Sequence, residues 1–597
     1  MCRPSRFAKV GSRSGQGVGK VGMDFILEGW TRQFQEEQEL TELSEAEAFE
    51  AFAGYCVLSS YHEDEFNPDQ FRMGGGDDLG IDIAAVVVNG DLLREADDVR
   101  EAVEKARQLD VRFVIVQAKR SEKFETRVFT DLADNLVQLF GRQPMTYKRS
   151  EDVADLRACV DAVYQDVSKF KKGLPRLAVH YVSTGRTGDG LLEKKRLAAG
   201  NRLRDTGLFG EVEVVAVGAA ELRELYRTAA EAVSASFTMP KKLPLPRIPG
   251  VEQAFLGVIP ARKLVDRVLT DPTGGIRKAL FYENVRDFQD YNPVNAEIRG
   301  TLQDPDRRDR FAVLNNGITI VARELTTAGD DVHIRDFQIV NGCQTCHVLF
   351  DQQDELTDGV HVNVRLIQSN DEDVIGGIIA ATNRQTAVTE DDLAARETFH
   401  KKLEDYFVAQ SESRRLYYER RSRQYSGQAN VERTRIITRP QLTKAYAAMF
   451  LDEPAATGRY GRLKSRHGQR LFQPEHNPLI YYTTAAAFYR LEWLFRNKRQ
   501  FWGYRAARNH LLAALKVRLL GDGPPPNGAG AKVACEKILN VVWHPLQSEH
   551  HFGELLSVVV AAQAEEERDR PGVLLSDLVR TERFAERVRR GALSLST

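Results

Sequence analysis

The stretch VRFVIVQAKRS at residues 111–121 has the pattern of a core strand that ends in polar side chains. Its mostly apolar run from Val111 to Val116 is typical of a strand that is buried on both faces of a sheet. Gln117 and Lys119 lie one residue apart, so they share one face of the strand while Ala118 points to the other face. The pattern therefore predicts two polar groups presented together at the end of a buried strand.

Length and charge set the broad class of the protein. A chain of 597 residues predicts two or three domains. The 83 Lys and Arg residues nearly balance 85 Asp and Glu residues, which excludes a uniform polycation and makes any basic surface local. Six scattered cysteines are not a disulfide framework, and no apolar stretch reaches the roughly 20 residues that cross a bilayer. We expect a cytoplasmic protein without membrane contact.

Alternating helix and strand patterns, followed by helical patterns, predict the domain organisation. The first part is expected to be α/β with a central mixed sheet flanked by helices, and the second α+β with a mainly helical C-terminal part. The segment TMPKKLPLPRIPG, with four prolines, predicts an irregular linker. The expected divisions are a disordered extension at 1–22 with Met23 as an alternative start, a domain at 23–237, the linker at 238–250, an α+β core at 251–395 and a helical part at 396–597.

A carboxylate precedes the polar strand end in the stretch GGGDDLGIDIAAVVV at residues 74–88. Asp82 is expected just inside a strand near 81–89, between Ile81 and Ile83, where a carboxylate is costly unless it is paired or bound to metal. If this strand neighbours the one near 112–118, Asp82 converges with Gln117 and Lys119.

Phosphodiester hydrolysis uses such a set of groups. Mg²⁺ or Mn²⁺ takes hard oxygen ligands, here the carboxylate of Asp82 and the amide oxygen of Gln117. A metal ion in that place stabilises charge on the phosphate and lowers the pKa of a bound water. Lys119 is then expected to hold the attacking water and the phosphate.

The Gly-Ile-Asp sequence followed by Gln-x-Lys resembles the Mrr-like branch of the PD-(D/E)xK restriction-endonuclease-like superfamily. The resemblance implies an accessory acid on an early helix. In LSEAEAFEAF, Ser44 and Glu47 fit a capping box, which leaves Glu50 as the expected accessory metal ligand. The alternative for Glu50 is an ordinary solvated glutamate. Since Gln117 is neutral and a charged helical insert separates it from Asp82, a binding-only version of the fold is a second alternative.

Five fragments in the second half resemble the AIPR family, the abortive-infection phage-resistance proteins of bacteria, in the family's order. The resemblance spans most of 250–560 and departs from the family at Cys343. The fragments are ENVRDF at 283–288, VLNNGITIVAR at 313–323, QIVNGCQTCHVLF at 338–350, AATNRQTAVTEDDL at 380–393 and YYERRSRQY at 417–425.

Amides and a hydroxyl recur in these fragments at expected strand ends and turns. Such groups either cap turns or converge on a polar ligand, so they are both turn candidates and a candidate ligand pocket. They are Asn315, Asn316, Asn341, Gln344, Thr345 and Asn383. Cys343 and Cys346 lack the second pair that a structural zinc site needs, so core packing is favoured over a metal role.

Basic residues cluster late in the chain. Eight arginines against three acids lie between residues 411 and 440, interleaved with tyrosines, which suits contact with a nucleic-acid backbone and also suits an ordinary solvated face. The proposed contacts are Arg414, Arg415, Arg420, Arg421 and Arg423.

Together these patterns favour a bacterial anti-phage, abortive-infection protein. Its first domain is expected to be a Mg²⁺-dependent DNA endonuclease that uses Asp82, Gln117, Lys119 and Glu50, with the AIPR region sensing or regulating it. The alternatives are a non-catalytic sensor that binds nucleic acid or a nucleotide, and an RNA-cleaving toxin. A homodimer is expected by analogy with restriction enzymes, and the candidate triggers are a nucleotide or a phage-derived molecule.

Overall fold

The computed structural model describes residues 25–595 except 63–65, 75–76, 142–149, 171–172, 188–189, 231–232, 272–273, 282–292, 383–389, 421–423, 426–427, 429–430, 457–462, 464–465 and 524–527. The predicted extension at 1–22 therefore lies outside the described residues. Within those residues, no helix has both the length and the apolar character needed to cross a membrane.

The N-terminal part is built around a five-stranded mixed sheet, as predicted. Its spatial order is β2-β1-β3-β4-β5, in which β1 runs antiparallel to β2 and β3, while β3, β4 and β5 are parallel. The strands are β1 (Ile83–Val88), β2 (Asp91–Leu93), β3 (Val111–Lys119), β4 (Arg176–Ser183) and β5 (Glu211–Val217). The helices are α1 (Phe25–Glu37), α2 (Glu45–Leu58), α3 (Ala96–Lys105), α4 (Arg127–Phe140), α5 (Glu151–Tyr164), α6 (Gly190–Arg204) and α7 (Ala219–Ala230).

Helices cover both faces of this sheet. Buried side chains of α3, α4, α5 and α6 fill one face, and those of α1, α2 and α7 fill the other. The helix expected from residue 92 begins only at Ala96, because Asn89 and Gly90 adopt positive φ angles of 51° and 93° and turn the chain into the β1–β2 hairpin. The three layers leave the C-terminal end of β3 at an edge where side chains reach solvent.

A second sheet of six strands follows in the order β6-β10-β9-β11-β8-β7. The strands are β6 (Ser234–Thr238), β7 (Lys241–Pro244), β8 (Gln253–Pro260), β9 (Ile318–Ala328), β10 (Asp331–Asn341) and β11 (His361–Gln368). The expectation of an irregular linker is wrong over Lys241–Pro244, which pairs with β8. Proline is tolerated there because β7 is an edge strand, so the missing N–H of Pro244 removes no inner hydrogen bond.

The helices around this second sheet are mostly short. They are α8 (Ala261–Leu264), α9 (Pro293–Gln303), α10 (Phe311–Leu314), α11 (Cys343–Asp351) and α12 (Glu372–Thr382).

The rest of the chain is helical, as predicted, apart from the short parallel pair β12 (Tyr417–Glu419) and β13 (Ile436–Thr438). The helices are α13 (Glu390–Val408), α14 (Arg439–Phe450), α15 (Pro478–Asn497), α16 (Arg508–Leu520), α17 (Gly528–Val542), α18 (Pro545–Asp569), α19 (Leu575–Leu578) and α20 (Glu582–Ser594). The aromatic helix α15 is buried along nearly its whole length in the core of this part, so its aromatic residues are packing residues.

Charged side chains tie the helical part to the N-terminal part. Acidic groups of the N-terminal part meet basic groups of the helical part across the whole contact. The pairs are Glu39 with Arg496 at 3.1 Å, Glu47 with Arg499 at 2.7 Å, Asp98 with Lys444 at 2.9 Å, Glu95 with Arg508 at 3.1 Å, and Asp69 with Arg505. The two ends of the chain therefore form one contact surface beside the candidate site.

Candidate active site

Helix α2 brings the first acids of the site into place. Ser44 is its N-cap, and the predicted capping box is present: the Glu47 carboxylate accepts hydrogen bonds from the backbone N–H of Ser44 at 2.8 Å and from its hydroxyl at 2.6 Å. Glu50 lies one turn further on, just before the fully buried stretch of the helix. The helix start thus fixes the direction in which Glu50 leaves the apolar layer.

A strained loop precedes Asp82. Asp77, Leu79 and Gly80 have φ angles of 52°, 61° and 71°, and the Asp78 carboxylate accepts a hydrogen bond from the Gly80 N–H at 2.9 Å. Asn135 on α4 donates to the Leu79 carbonyl at 2.9 Å and holds the loop down. Positive φ at bulky residues costs free energy and is found where the surroundings enforce a functional conformation.

Asp82 lies one residue before β1, which corrects its expected position inside the strand. Its backbone N–H still donates to the Val116 carbonyl at 3.0 Å, so it continues the pairing of β1 with β3. Its carboxylate Oδ2 accepts a hydrogen bond from the Ala118 N–H at 2.6 Å. This bond places the acid directly against the Gln117–Lys119 end of β3.

The end of β3 has the alternation that the sequence predicts. Ala118 is buried, whereas Gln117 and Lys119 are partly exposed on the other face. The Gln117 amide lies against Gly80, since a Cβ on Gly80 would stand 3.5 Å from Gln117 Nε2 and 3.6 Å from Oε1. Lys119 Nζ lies 3.2 Å from Oε2 of Glu125 at the start of the next helix.

Burial and like charge keep two acids of the site protonated more readily than usual. Burial raises the pKa of Glu50 to about 7, the charge of Arg72 opposes the rise, and Glu47 and Asp78 add to it. Burial followed by the charge of Glu50 raises the pKa of Asp82 well above its ordinary value; the Ala118 hydrogen bond and the charge of Lys119 oppose that rise. These mutual effects require Glu50, Asp82 and Lys119 to be near neighbours, although they lie far apart along the chain.

The donor set suits a hard divalent cation held by few protein ligands. Within the described ranges, no three His, Cys, Asp or Glu side chains are arranged to hold a metal ion. Mg²⁺ is commonly bound through one or two carboxylates with several waters, so two crowded carboxylates beside an amide oxygen satisfy its needs. A cation there also relieves the repulsion that raises the pKa values of Glu50 and Asp82.

Two groups near the site gave no recognised signal in the sequence. Asp78 adds negative charge next to Glu50 and Asp82. Arg72 stands next to Glu50, is bonded to Asp69 at 2.9 Å, and is covered by the Trp502 ring at 4.9 Å. Asp78 lies four residues before Asp82 in the acidic turn and could have been suspected. Arg72 could not, since its cover comes from the far end of the chain.

The predicted polar groups of the second sheet are partly used within the fold. The Asn315 side chain accepts from the Gly317 N–H at 2.9 Å and donates to the Thr345 hydroxyl at 3.2 Å, which is turn capping. Gln344 accepts from Asn295 at 2.6 Å. Asn316 is exposed and Asn341 ends β10, while Asn383 lies outside the described residues. The described hydrogen bonds support turn capping, and a ligand pocket for this set stays a prediction.

The cysteine pair agrees with the packing interpretation. Cys343 and Cys346 are both buried free thiols in the core of the second part, and burial raises the pKa of Cys346 well above its ordinary value. A thiol of this kind is held as a neutral apolar group.

The late arginines do not form one open basic face. Arg420 has a side chain only 6% exposed and is paired with Glu404 at 3.0 Å, which removes it as a free phosphate contact. Arg415 donates to the Val408 carbonyl at 3.0 Å, Arg414 is exposed, and Arg421 and Arg423 lie outside the described residues. Only Arg414 among the described arginines of this set keeps the expected exposure.

Comparisons with known proteins bear on the second half of the chain. No curated protein and no solved structure matched it. The resemblance of residues 23–237 to Mrr-like nucleases therefore stays a prediction. Residues 281–540 match the family model described as AIPR protein, and this match supports the assignment of that region to the AIPR family.

Proposed function

We propose that the chain is an anti-phage defence protein whose N-terminal part hydrolyses phosphodiester bonds of DNA with Mg²⁺ or Mn²⁺. The AIPR match supports the abortive-infection role. The nuclease activity rests on one observation: the Asp82 carboxylate is bonded to the backbone between Gln117 and Lys119, with Glu50 close enough to perturb its pKa.

Each side chain has a role that follows from its place. Asp82 and Glu50 hold the cation through carboxylate oxygens, and Gln117 contributes its amide oxygen. When bound, the metal ion supplies Lewis acidity toward the phosphate and a bound water of lowered pKa. Lys119 holds a phosphate oxygen and the attacking water, which requires that it leave Glu125, an exchange between exposed groups.

The test uses the purified full-length chain, supercoiled plasmid DNA and either metal. We expect nicking that falls by about a hundredfold or more in Asp82→Ala and in Lys119→Ala, as for loss of an acid–base or charge-stabilising group. Asp110→Asn is the matched control, because this exposed aspartate pairs with Arg176 at the opposite end of β3. Undiminished nicking in the Asp82 and Lys119 variants would show that the assigned site is wrong.

The non-catalytic sensor is the second candidate. It is favoured by the Lys119–Glu125 pair, which occupies the lysine that the hydrolytic role needs. This alternative predicts salt-sensitive binding of nucleic acid without cleavage under either metal. Offering tRNA, mRNA and plasmid DNA to the same preparations separates a DNA endonuclease from an RNA-cleaving toxin.

A further inference from the structure

A ring of paired basic side chains surrounds the candidate site. Lys119 pairs with Glu125 at 3.2 Å, Arg120 pairs with Glu45, and Arg499 pairs with Glu47 at 2.7 Å. We call Lys119, Arg120 and Arg499 the basic rim. Arg499 comes from the helical part of the chain, so the rim is assembled from both ends of the sequence.

The acids of these pairs stand in the first turn of α2, directly before Glu50. Glu45 and Glu47 are separated by one residue, and the charges of Arg499 and Arg72 both act on Glu47. Arg120 and Arg499 therefore approach the same helix turn from two sides, one from the end of β3 and the other from the segment after α15. This turn is the side of the site on which groups are exposed.

The ion pairs of the rim are held where water can compete for them. In each pair at least one side chain is well exposed: Glu45 is 76% exposed, Arg499 is 75% exposed and Glu125 is 58% exposed. Exposed ion pairs contribute about 0–1 kcal/mol, so replacing the partner costs little. Phosphate oxygens accept two parallel hydrogen bonds from one arginine and are stronger partners than a single exposed carboxylate.

We propose that the basic rim is the binding surface for the phosphates that flank the scissile bond of a nucleic acid, with Glu45 and Glu47 occupying the arginines until the nucleic acid displaces them. The inference rests on the proposed function because it places the substrate backbone at that same site. It moves the expected nucleic-acid contact from the arginines at 414–423 to Arg120 and Arg499. The helical part thereby supplies a direct contact to the substrate of the N-terminal part.

The experiment measures the binding of the full-length chain to fluorescein-labelled nucleic acid by anisotropy, in EDTA so that no cleavage occurs. Duplex DNA and single-stranded RNA are the two arms. Each phosphate contact contributes about 0.9 to the slope of log affinity against log salt for duplex DNA and about 0.7 for single strands. Between roughly 50 and 200 mM KCl, one lost contact on duplex DNA therefore reduces the fall in affinity by about 3.5-fold, and two lost contacts by about 12-fold.

We expect this reduction in Arg120→Gln and Arg499→Gln singly, and the larger one in the double variant. Arg590→Gln is the matched control, since Arg590 on the last helix is 68% exposed and likewise stands beside a glutamate, Glu586. Glu45→Gln and Glu47→Gln should bind more tightly than the wild type. Glutamine at position 47 keeps the capping hydrogen bond, and tighter binding cannot arise from misfolding.

Rim variants with the same salt slope as Arg590→Gln would overturn the proposal, as would a wild-type chain that binds neither nucleic acid. The arm with the steeper loss identifies the nucleic acid for which the rim is built. Since binding is measured without metal, its outcome is independent of the nicking assay. Normal rim behaviour together with unaffected nicking in Asp82→Ala would reject the hydrolytic site and leave the rim standing.

Discussion

Replacing Glu50 by glutamine should stabilise the metal-free protein at alkaline pH. Its carboxyl has an ordinary pKa of 4.5 and a pKa of about 7 in the fold, raised first of all by burial. The folded state therefore binds the proton more tightly than the unfolded chain, and stability falls as the pH rises through this window. At about 1.36 kcal/mol per pH unit, the interval corresponds to about 3 kcal/mol lost at pH 8.

The measurement is the free energy of unfolding of wild type and Glu50→Gln at pH 5 and pH 8, by denaturant titration in EDTA. The two proteins should differ little at pH 5, and the variant should be more stable by up to about 3 kcal/mol at pH 8. Glu47→Gln is the matched control of opposite sign. Burial tends to raise the pKa of Glu47, but the Ser44 hydrogen bonds and the charge of Arg499 outweigh burial and hold the pKa below its ordinary value. The Glu47→Gln variant should therefore lose stability at pH 8.

Metal completes this test. A cation bound between Glu50 and Asp82 stabilises the ionised folded state, by about 2.7 kcal/mol at a hundred times its dissociation constant. Mg²⁺ or Mn²⁺ should raise the wild-type stability at pH 8 and raise that of Glu50→Gln much less. A Glu50→Gln protein that is no more stable than the wild type at pH 8, or that gains as much from metal, would refute the assignment of these two carboxylates to one site.

Three further changes test the framework of the site. Arg505→Met should destabilise the chain by about 3–5 kcal/mol in denaturant titrations, because it leaves Asp69 and Glu492, only 3% and 4% exposed, without one of their cations. Ser44→Ala should cost about 1 kcal/mol in the same titration through loss of the helix cap, with a matching fall in metal affinity measured by calorimetry. Gly317→Ala should lower the melting temperature measured by scanning calorimetry, since the residue has a φ of 76° and its new Cβ would stand 2.3 Å from a backbone oxygen of β11.

Each of these changes has a control within the chain. Arg590→Gln removes an exposed arginine and should be close to neutral in stability. Gly329→Ala also lies at positive φ, 59°, but nothing stands within 4 Å of its added Cβ, so it should cost less than Gly317→Ala. Equal losses at the two glycines would mean that the contact with β11 is not the cause.

Local patterns in the sequence were sufficient for the frame of the N-terminal part. Strands β3, β4 and β5 lie within a residue or two of their predicted positions, because runs of branched apolar residues in a buried parallel sheet leave little choice of conformation. The capping box at Ser44 and the alternation at Gln117 and Lys119 were also readable, since both depend on neighbours in the chain.

What the sequence could not predict depends on groups that meet only after folding. The Pro-rich segment forms β7 because an edge of the second sheet is available to it. Arg420 is removed from the expected basic face by Glu404, and Arg72 is covered by Trp502. No local pattern encodes these pairings, so the predicted arginine contacts were placed on charge density alone.

The contact between the two ends of the chain has a consequence for biosynthesis. Glu39 and its partner Arg496 are separated by 457 positions, and Asp69 and Arg505 by 436. At about 5–20 residues per second, the ribosome needs about 20 to 90 s to supply these cations after the acids have emerged. A nascent N-terminal part is therefore acidic and lacks Arg499 during that interval, so a host cell making this protein meets an assembled site only once translation is nearly finished.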